Sequence, residues 1–253
     1  MKNIGIRIAF SLVVGLVGLT PVAHGERPTW ARKATAFQAV CKERSEFHKC
    51  KPLLIPSPDN RSRVEVAYVK DDDMMFASVR LATPGRDTRG IGEPCSNGSV
   101  ELLWSPNSKA FFINSAGCGS AISGFVVSVY LVDSANIDEG LDLTQEAMHD
   151  MVKSFPPCKA LHHDPEECKV MQTDREYYNM SGIDWLEDSS GIVVMSEVPP
   201  TSRYGGIMGQ VMGYELEVPS GKILGRLNAK QFKMKWQKSM AWKFRMPDPP
   251  EYE

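Results

Sequence analysis

The sequence predicts a mainly β chain of three similar antiparallel units, with one helix inserted among them and another near the C-terminus. Three observations carry that prediction. A short phrase recurs as WSPNSKAFFI from Trp104 to Ile113, as WLEDSSGIVV from Trp185 to Val194, and more divergently as PSPDNRSRVEV from Pro56 to Val66. Short alternating or continuous apolar runs follow each copy, which is strand patterning. Within and after these units, two stretches depart from it with helical spacing, one ended by Pro156-Pro157 and one beginning after Asn228.

Each copy of the phrase starts with Trp or Pro, places Asp or Asn three residues on, adds small polar residues and enters an apolar run. This is the chemistry of strand, tight turn and strand, because an Asx side chain can accept from its own backbone two residues later. The phrase resembles the WSPDGK signature of TolB-type (WD40-like) β-propeller repeats, which are found in bacterial envelope proteins. The resemblance implies three propeller-blade-like antiparallel units and protein partners in an envelope. A β-sandwich whose hairpins share one turn is the alternative. Rings normally need at least four blades, so three units imply an incomplete stack or closure through an oligomer. The copies lie 48 and then 81 residues apart. The longer interval fits an inserted helix and loop at about 141–170.

Taken in order, Lys2 and Arg7 flank a basic start, Ile8–Leu19 is apolar, and Ala23 and Gly25 supply small residues for cleavage. Residues 1–25 therefore read as a secretory signal peptide and 26–253 as a single mainly β domain. The apolar run is short for a bilayer span, and a retained anchor is the alternative. From Trp30 to Phe47, Trp30, Ala34, Phe37, Val40 and Cys41 recur at helical spacing with Thr29 as a possible cap. Strands are expected around Val64–Tyr68 and at Met75–Leu81, Val100–Trp104, Ala110–Ser115, Gly124–Val132, Gly191–Glu197, Ile207–Val218 and Lys222–Leu227. A helix is expected over Leu143–Phe155, with Leu143, Ala147, Met151 and Val152 on one face.

Six cysteines follow the expected cut: Cys41, Cys50, Cys95, Cys118, Cys158 and Cys168. An even number in an exported chain reads as a disulfide framework, although six allow fifteen pairings. Short loop closure favours Cys41–Cys50 and Cys158–Cys168. Cys95 and Cys118 flank a predicted hairpin turned at Ser105–Ser108 and should meet at its open end. A zinc site would need a regular ligand spacing that these cysteines lack.

Catalytic signatures are absent: there is no G-x-S-x-G, no H-E-x-x-H and no phosphate-binding G-x-x-x-x-G-K. With the cysteines in disulfides, a small metal-assisted hydrolase would rest on His149 and Asp150 with His162, His163 and Asp164. Met148, His149 and Met151 could also offer Cu(I) a soft set, but the two methionines fit an apolar helix face equally well. Asp71-Asp72-Asp73 sits where a hairpin must turn and lacks the pattern of a calcium loop. Gly205, Gly206, Gly209 and Gly213 precede no helix and read as bulges or close backbone approaches. The sequons at Asn60, Asn97 and Asn179 matter only on a eukaryotic secretory route.

Between Lys222 and Arg245 there are eight basic residues and no acidic one, in a chain of net charge −2. Phe232, Trp236, Met240 and Phe244 recur every fourth residue and Asn228 can cap, so a basic amphipathic helix is expected from about Ala229 to Lys243. Alternation of Phe232, Met234 and Trp236 leaves a strand open for its first half. Phe232 and Trp236 should seat the helix on the sheet. Lys230, Lys233, Lys235, Lys238 and Lys243 then form a possible surface for an anionic envelope polymer or protein. The mild overall acidity argues against a dedicated nucleic-acid binder. The sequence thus predicts an exported, periplasmic or extracellular, non-enzymatic binding or interaction protein with no cofactor and no membrane span after signal removal.

Overall fold

The computed structural model describes residues 30–36, 52–71, 74–91, 100–116, 125–137, 139–156, 178–199 and 207–241. After a two-residue strand β1 (Thr35–Ala36), the first sheet is a meander of β2 (Leu53–Pro56), β3 (Arg63–Asp71), β4 (Met74–Ala82) and β5 (Arg89–Gly90). The second comprises β6 (Val100–Trp104), β7 (Ala110–Ala116) and β8 (Phe125–Leu131), with β1 added along β6. Helix α1 (Gln145–Lys153) follows. The third sheet is β9 (Asn179–Trp185), β10 (Gly191–Glu197), β11 (Val211–Glu217) and β12 (Ile223–Asn228), and helix α2 (Ala229–Trp236) comes next. All pairings are antiparallel, and the architecture is the mainly β, blade-like one expected.

The sheets stack face to face through three apolar layers. Val64, Val66, Val79 and Leu81 of the first sheet pack on Leu102, Phe111 and Ile113 of the second. The opposite face of the second sheet, with Phe112, Val127 and Val129, meets Met180, Ile192 and Val194 of the third. Ala147, Met148 and Met151 of α1 fill the same layer, so the inserted helix is a packing element. The outer face of the third sheet, with Val193, Met195 and Val211, is covered by Phe232 of α2 together with Trp30 and Met240. A fourth sheet would have to occupy that position. Among the described residues the stack is therefore closed by a helix on this side.

The repeated phrase builds both the turns and the joints between sheets. Asn60, Ser108 and Ser189 occupy the same place in the three copies and share left-handed φ values of 58°, 63° and 61°. One residue earlier, Asp59, Asn107 and Asp188 each accept the backbone N–H two residues on, at 3.0, 3.0 and 2.9 Å. Adjacent turns are then linked: the Asp59 N–H donates to Ser108 Oγ at 3.1 Å, and the Asn107 N–H to Ser189 Oγ at 3.2 Å. The tryptophans reach back in the same way. Trp104 Nε1 donates to the Ile55 carbonyl and Trp185 Nε1 to the Leu103 carbonyl, both at 3.2 Å. In the first copy Pro56 stands in place of Trp and Asn60 in place of Ser, and these are the two positions that reach back to a preceding sheet.

The helix expected from Trp30 does not form over the described residues. Trp30–Ala36 makes a turn into β1, where Thr35 and Ala36 pair with Leu102 and Glu101 of β6, and the N–H groups of Trp30 and Ala31 go to the carboxylate of Glu101. Ala31 also bridges Met240, with Arg32 N–H donating to the Ser239 carbonyl at 2.7 Å and Ala241 N–H to that of Trp30 at 3.0 Å. The rest of that expected helix lies outside the described residues. The C-terminal helix is shorter than expected, ending at Trp236 rather than near Lys243.

Candidate functional site

Helix α2 begins with a capping box. Asn228 Oδ1 accepts the Gln231 N–H at 2.9 Å, and Gln231 Oε1 accepts the Asn228 N–H at 3.0 Å, which satisfies two otherwise orphan donors. Phe232 then plugs into the third sheet over Gly213, where a Cβ would lie 1.9 Å from the Phe232 ring. That is the close approach expected of a strand glycine. Trp236 is only partly buried, so Phe232 is the main anchor and Trp236 assists.

These contacts determine what the lysines do. Lys230, Lys233 and Lys238 are exposed, and their side chains make no hydrogen bond or ion pair with another described residue. Lys235 differs: its Nζ lies 2.5 Å from Glu215 Oε1 and 5.5 Å from the centre of the Trp236 ring. Glu215 also accepts the Trp236 indole N–H at 3.3 Å. Lys235 thus belongs to the joint between helix and sheet. Lys243 lies outside the described residues. Met234, 72% exposed, stands among the free lysines.

The interior holds a second polar constellation, between the second and third sheets. Glu101 is buried on β6 and accepts from Trp30 N–H (3.0 and 2.9 Å to its two oxygens), Ala31 N–H (3.0 Å) and Asn114 Nδ2 (2.6 Å). Asn114 also pairs with the main chain of Gly182. Nearby, Asn179 donates to the buried Glu197 at 2.8 Å and accepts the Phe125 N–H at 3.1 Å. Burial pushes both carboxyls up to about 7, against the opposing pull of Asn114 and the backbone donors on Glu101 and of Asn179 on Glu197. Each sheet therefore lends one asparagine to the other's backbone, and each asparagine is steadied by a glutamate. A sequence signal for these residues exists: each is a polar residue within or ending an apolar strand run, as in VELLW, AFFINSA and GIVVMSE.

Among the described residues the remaining candidates do not assemble. His149 is exposed on α1, whereas Met148 and Met151 are buried, and Met151 Sδ accepts from Ser196 Oγ at 2.9 Å. Asp150 pairs with Arg226 at 2.9 Å and accepts from the Tyr214 hydroxyl at 3.0 Å; burial, then the Asp150 charge, raise the Tyr214 phenol well above its ordinary range. No cluster of three or more His, Cys, Asp or Glu suited to a metal occurs among the described residues. His162, His163, Asp164 and all six cysteines (Cys41, Cys50, Cys95, Cys118, Cys158, Cys168) lie outside them, as do Asp72, Asp73, Gly205, Gly206 and Asn97. Asn179 is engaged in the joint just described. No helix among the described residues is long and apolar enough to cross a membrane.

No family model and no curated protein sequence matches the chain. Among solved structures it is similar to prolyl oligopeptidase B from Galerina marginata. An H698A form bound to a 35-residue substrate aligns over 70% of this chain and 21% of that one, at 12% identity and a TM-score of 0.36. An S577A form aligns over 66% and 20%, at 10% identity and 0.34. A D661A form bound to a 25-residue substrate aligns over 69% and 22%, at 12% and 0.36. The chain spans about a fifth of the length of those structures. A TM-score below one half at such identity assigns no activity to this chain.

Proposed function

We propose that this chain is an exported, disulfide-stapled, non-enzymatic binding protein whose working surface is the basic face of α2. One observation carries the reading: Lys230 and Lys233 project from a helix held by its capping box and by Phe232, Lys238 follows in the turn after it, and none of the three has a described acidic partner. A cationic surface fixed in advance loses little conformational freedom when an anionic partner docks. The export address rests on the signal-like segment that ends near Gly25 and on the even cysteine count. The resemblance of the repeated turn to TolB-type, WD40-like repeats supports a bacterial envelope setting. Fold alone does not decide function.

The experiment is binding of the purified mature chain to a soluble acidic polymer, polyglutamate, across a salt series. Binding that weakens as salt rises and is lost in Lys233→Glu/Lys238→Glu supports the reading. Absence of binding at low salt refutes it.

A further inference from the structure

We propose that the basic face of α2 docks on an anionic lipid bilayer surface; the inference rests on the anion-binding reading above and narrows its partner. On a helix of 3.6 residues per turn, Lys230, Lys233, Met234 and Gln237 fall on one stripe, and Lys238 follows just past the end. Phe232 and Trp236 lie on the opposite side, against the third sheet. The outward stripe is thus the side left free by the packing.

Its composition selects the partner. The three lysine side chains are unpaired among the described residues, and Glu215, the carboxylate that meets α2, is already taken by Lys235 and Trp236. Lys230, Lys233 and Lys238 would meet anionic headgroups, whereas the net charge of the whole chain is −2. Attraction would therefore orient the protein with α2 toward the membrane. Met234 separates a lipid surface from a soluble polyanion. It is the most exposed large apolar side chain among the described residues, at 72%, and it is ringed by cations. A thioether adds nothing to binding a polyanion in water, but it gains by entering the boundary between headgroups and acyl chains.

The test is co-sedimentation of the purified mature chain with phosphatidylcholine vesicles and with vesicles containing phosphatidylglycerol, alongside soluble polyglutamate. Wild type should bind the phosphatidylglycerol vesicles and not the neutral ones. Lys230→Glu/Lys233→Glu/Lys238→Glu should lower vesicle binding by at least about a hundredfold and abolish polyglutamate binding. Met234→Ser should weaken vesicle binding about fivefold and leave polyglutamate binding unchanged. All these side chains are exposed and unpartnered, so unchanged thermal unfolding of the variants establishes that they fold. Binding to polyglutamate without binding to anionic vesicles, or vesicle binding indifferent to Met234→Ser, overturns the lipid inference and leaves the anion-binding reading standing. Failure to bind either anion overturns both.

Discussion

The side chain of Asn114 stands in for a strand against Gly182: its Nδ2 donates to the Gly182 carbonyl and its Oδ1 accepts the Gly182 N–H, both at 2.7 Å. One amide thereby satisfies both backbone polar groups of a residue buried between two sheets. A Cβ on Gly182 would lie 3.0 Å from the Phe112 ring, so the close approach of the sheets depends on glycine there. Asn114→Ala should destabilise the protein by about 2–4 kcal/mol, because Gly182 is left unpaired and Glu101 loses a donor. Urea unfolding measures the change. Asn114→Asp should be worse above pH 7, where a second carboxylate would face Glu101.

The two buried glutamates make stability depend on pH. Their folded pKa values, about 7, lie above the ordinary 4.5. Their contribution is therefore fully present below about pH 4.5 and lost as pH rises through 7, by about 3 kcal/mol per carboxyl at most. Glu197→Gln keeps an oxygen to accept from Asn179 but cannot ionise. The loss of stability between pH 5 and pH 8, followed by denaturant midpoint, should be smaller in Glu197→Gln than in wild type. Equal losses would remove Glu197 from the account.

The tryptophan joints should be repetitive in energy as in geometry. Trp185→Phe and Trp104→Phe each remove an indole donor and leave a carbonyl, of Leu103 or Ile55, without it. Each should cost about 1–2 kcal/mol in equilibrium unfolding. The two act at different seams, so the double variant should be close to additive.

Phe232 and Gly213 form a plug and socket. Phe232→Ala should destabilise by about 3–5 kcal/mol, and Trp236→Ala by less because that ring is only partly buried. Gly213→Ala should expel the Phe232 ring and cost at least about 2 kcal/mol. Thermal unfolding of the three variants gives the order, and a larger loss for Trp236→Ala would reverse the assignment of the anchor.

Non-reducing peptide mapping of the exported chain should yield Cys41 with Cys50, Cys95 with Cys118, and Cys158 with Cys168. The expectation for the middle pair rests on the hairpin: Val100 and Ser115 pair at its open end, five residues after Cys95 and three before Cys118 in the sequence. Free thiols, or a link between Cys50 and Cys158, would overturn the pattern.

Much of this protein was legible in the sequence wherever the deciding contacts are local. The Asx turns at Asp59, Asn107 and Asp188 close within two residues, the capping box at Asn228 within three, and Val100–Trp104 and Gly191–Glu197 have the predicted bounds. The lysine face of α2 was readable for the same reason, since helical spacing alone puts Lys230 opposite Phe232 and Lys233 about a quarter-turn away from it. What tertiary structure decided depends on groups far apart in the chain. Glu101 accepts from Trp30 and Ala31 across 71 and 70 residues, and Asn114 meets Gly182 across 68. Lys235 leaves the binding face because Glu215, 20 residues earlier, lies beneath it. No periodicity records such pairs. A buried polar group must find a partner wherever the packed sheets bring one, and only the packing places it there.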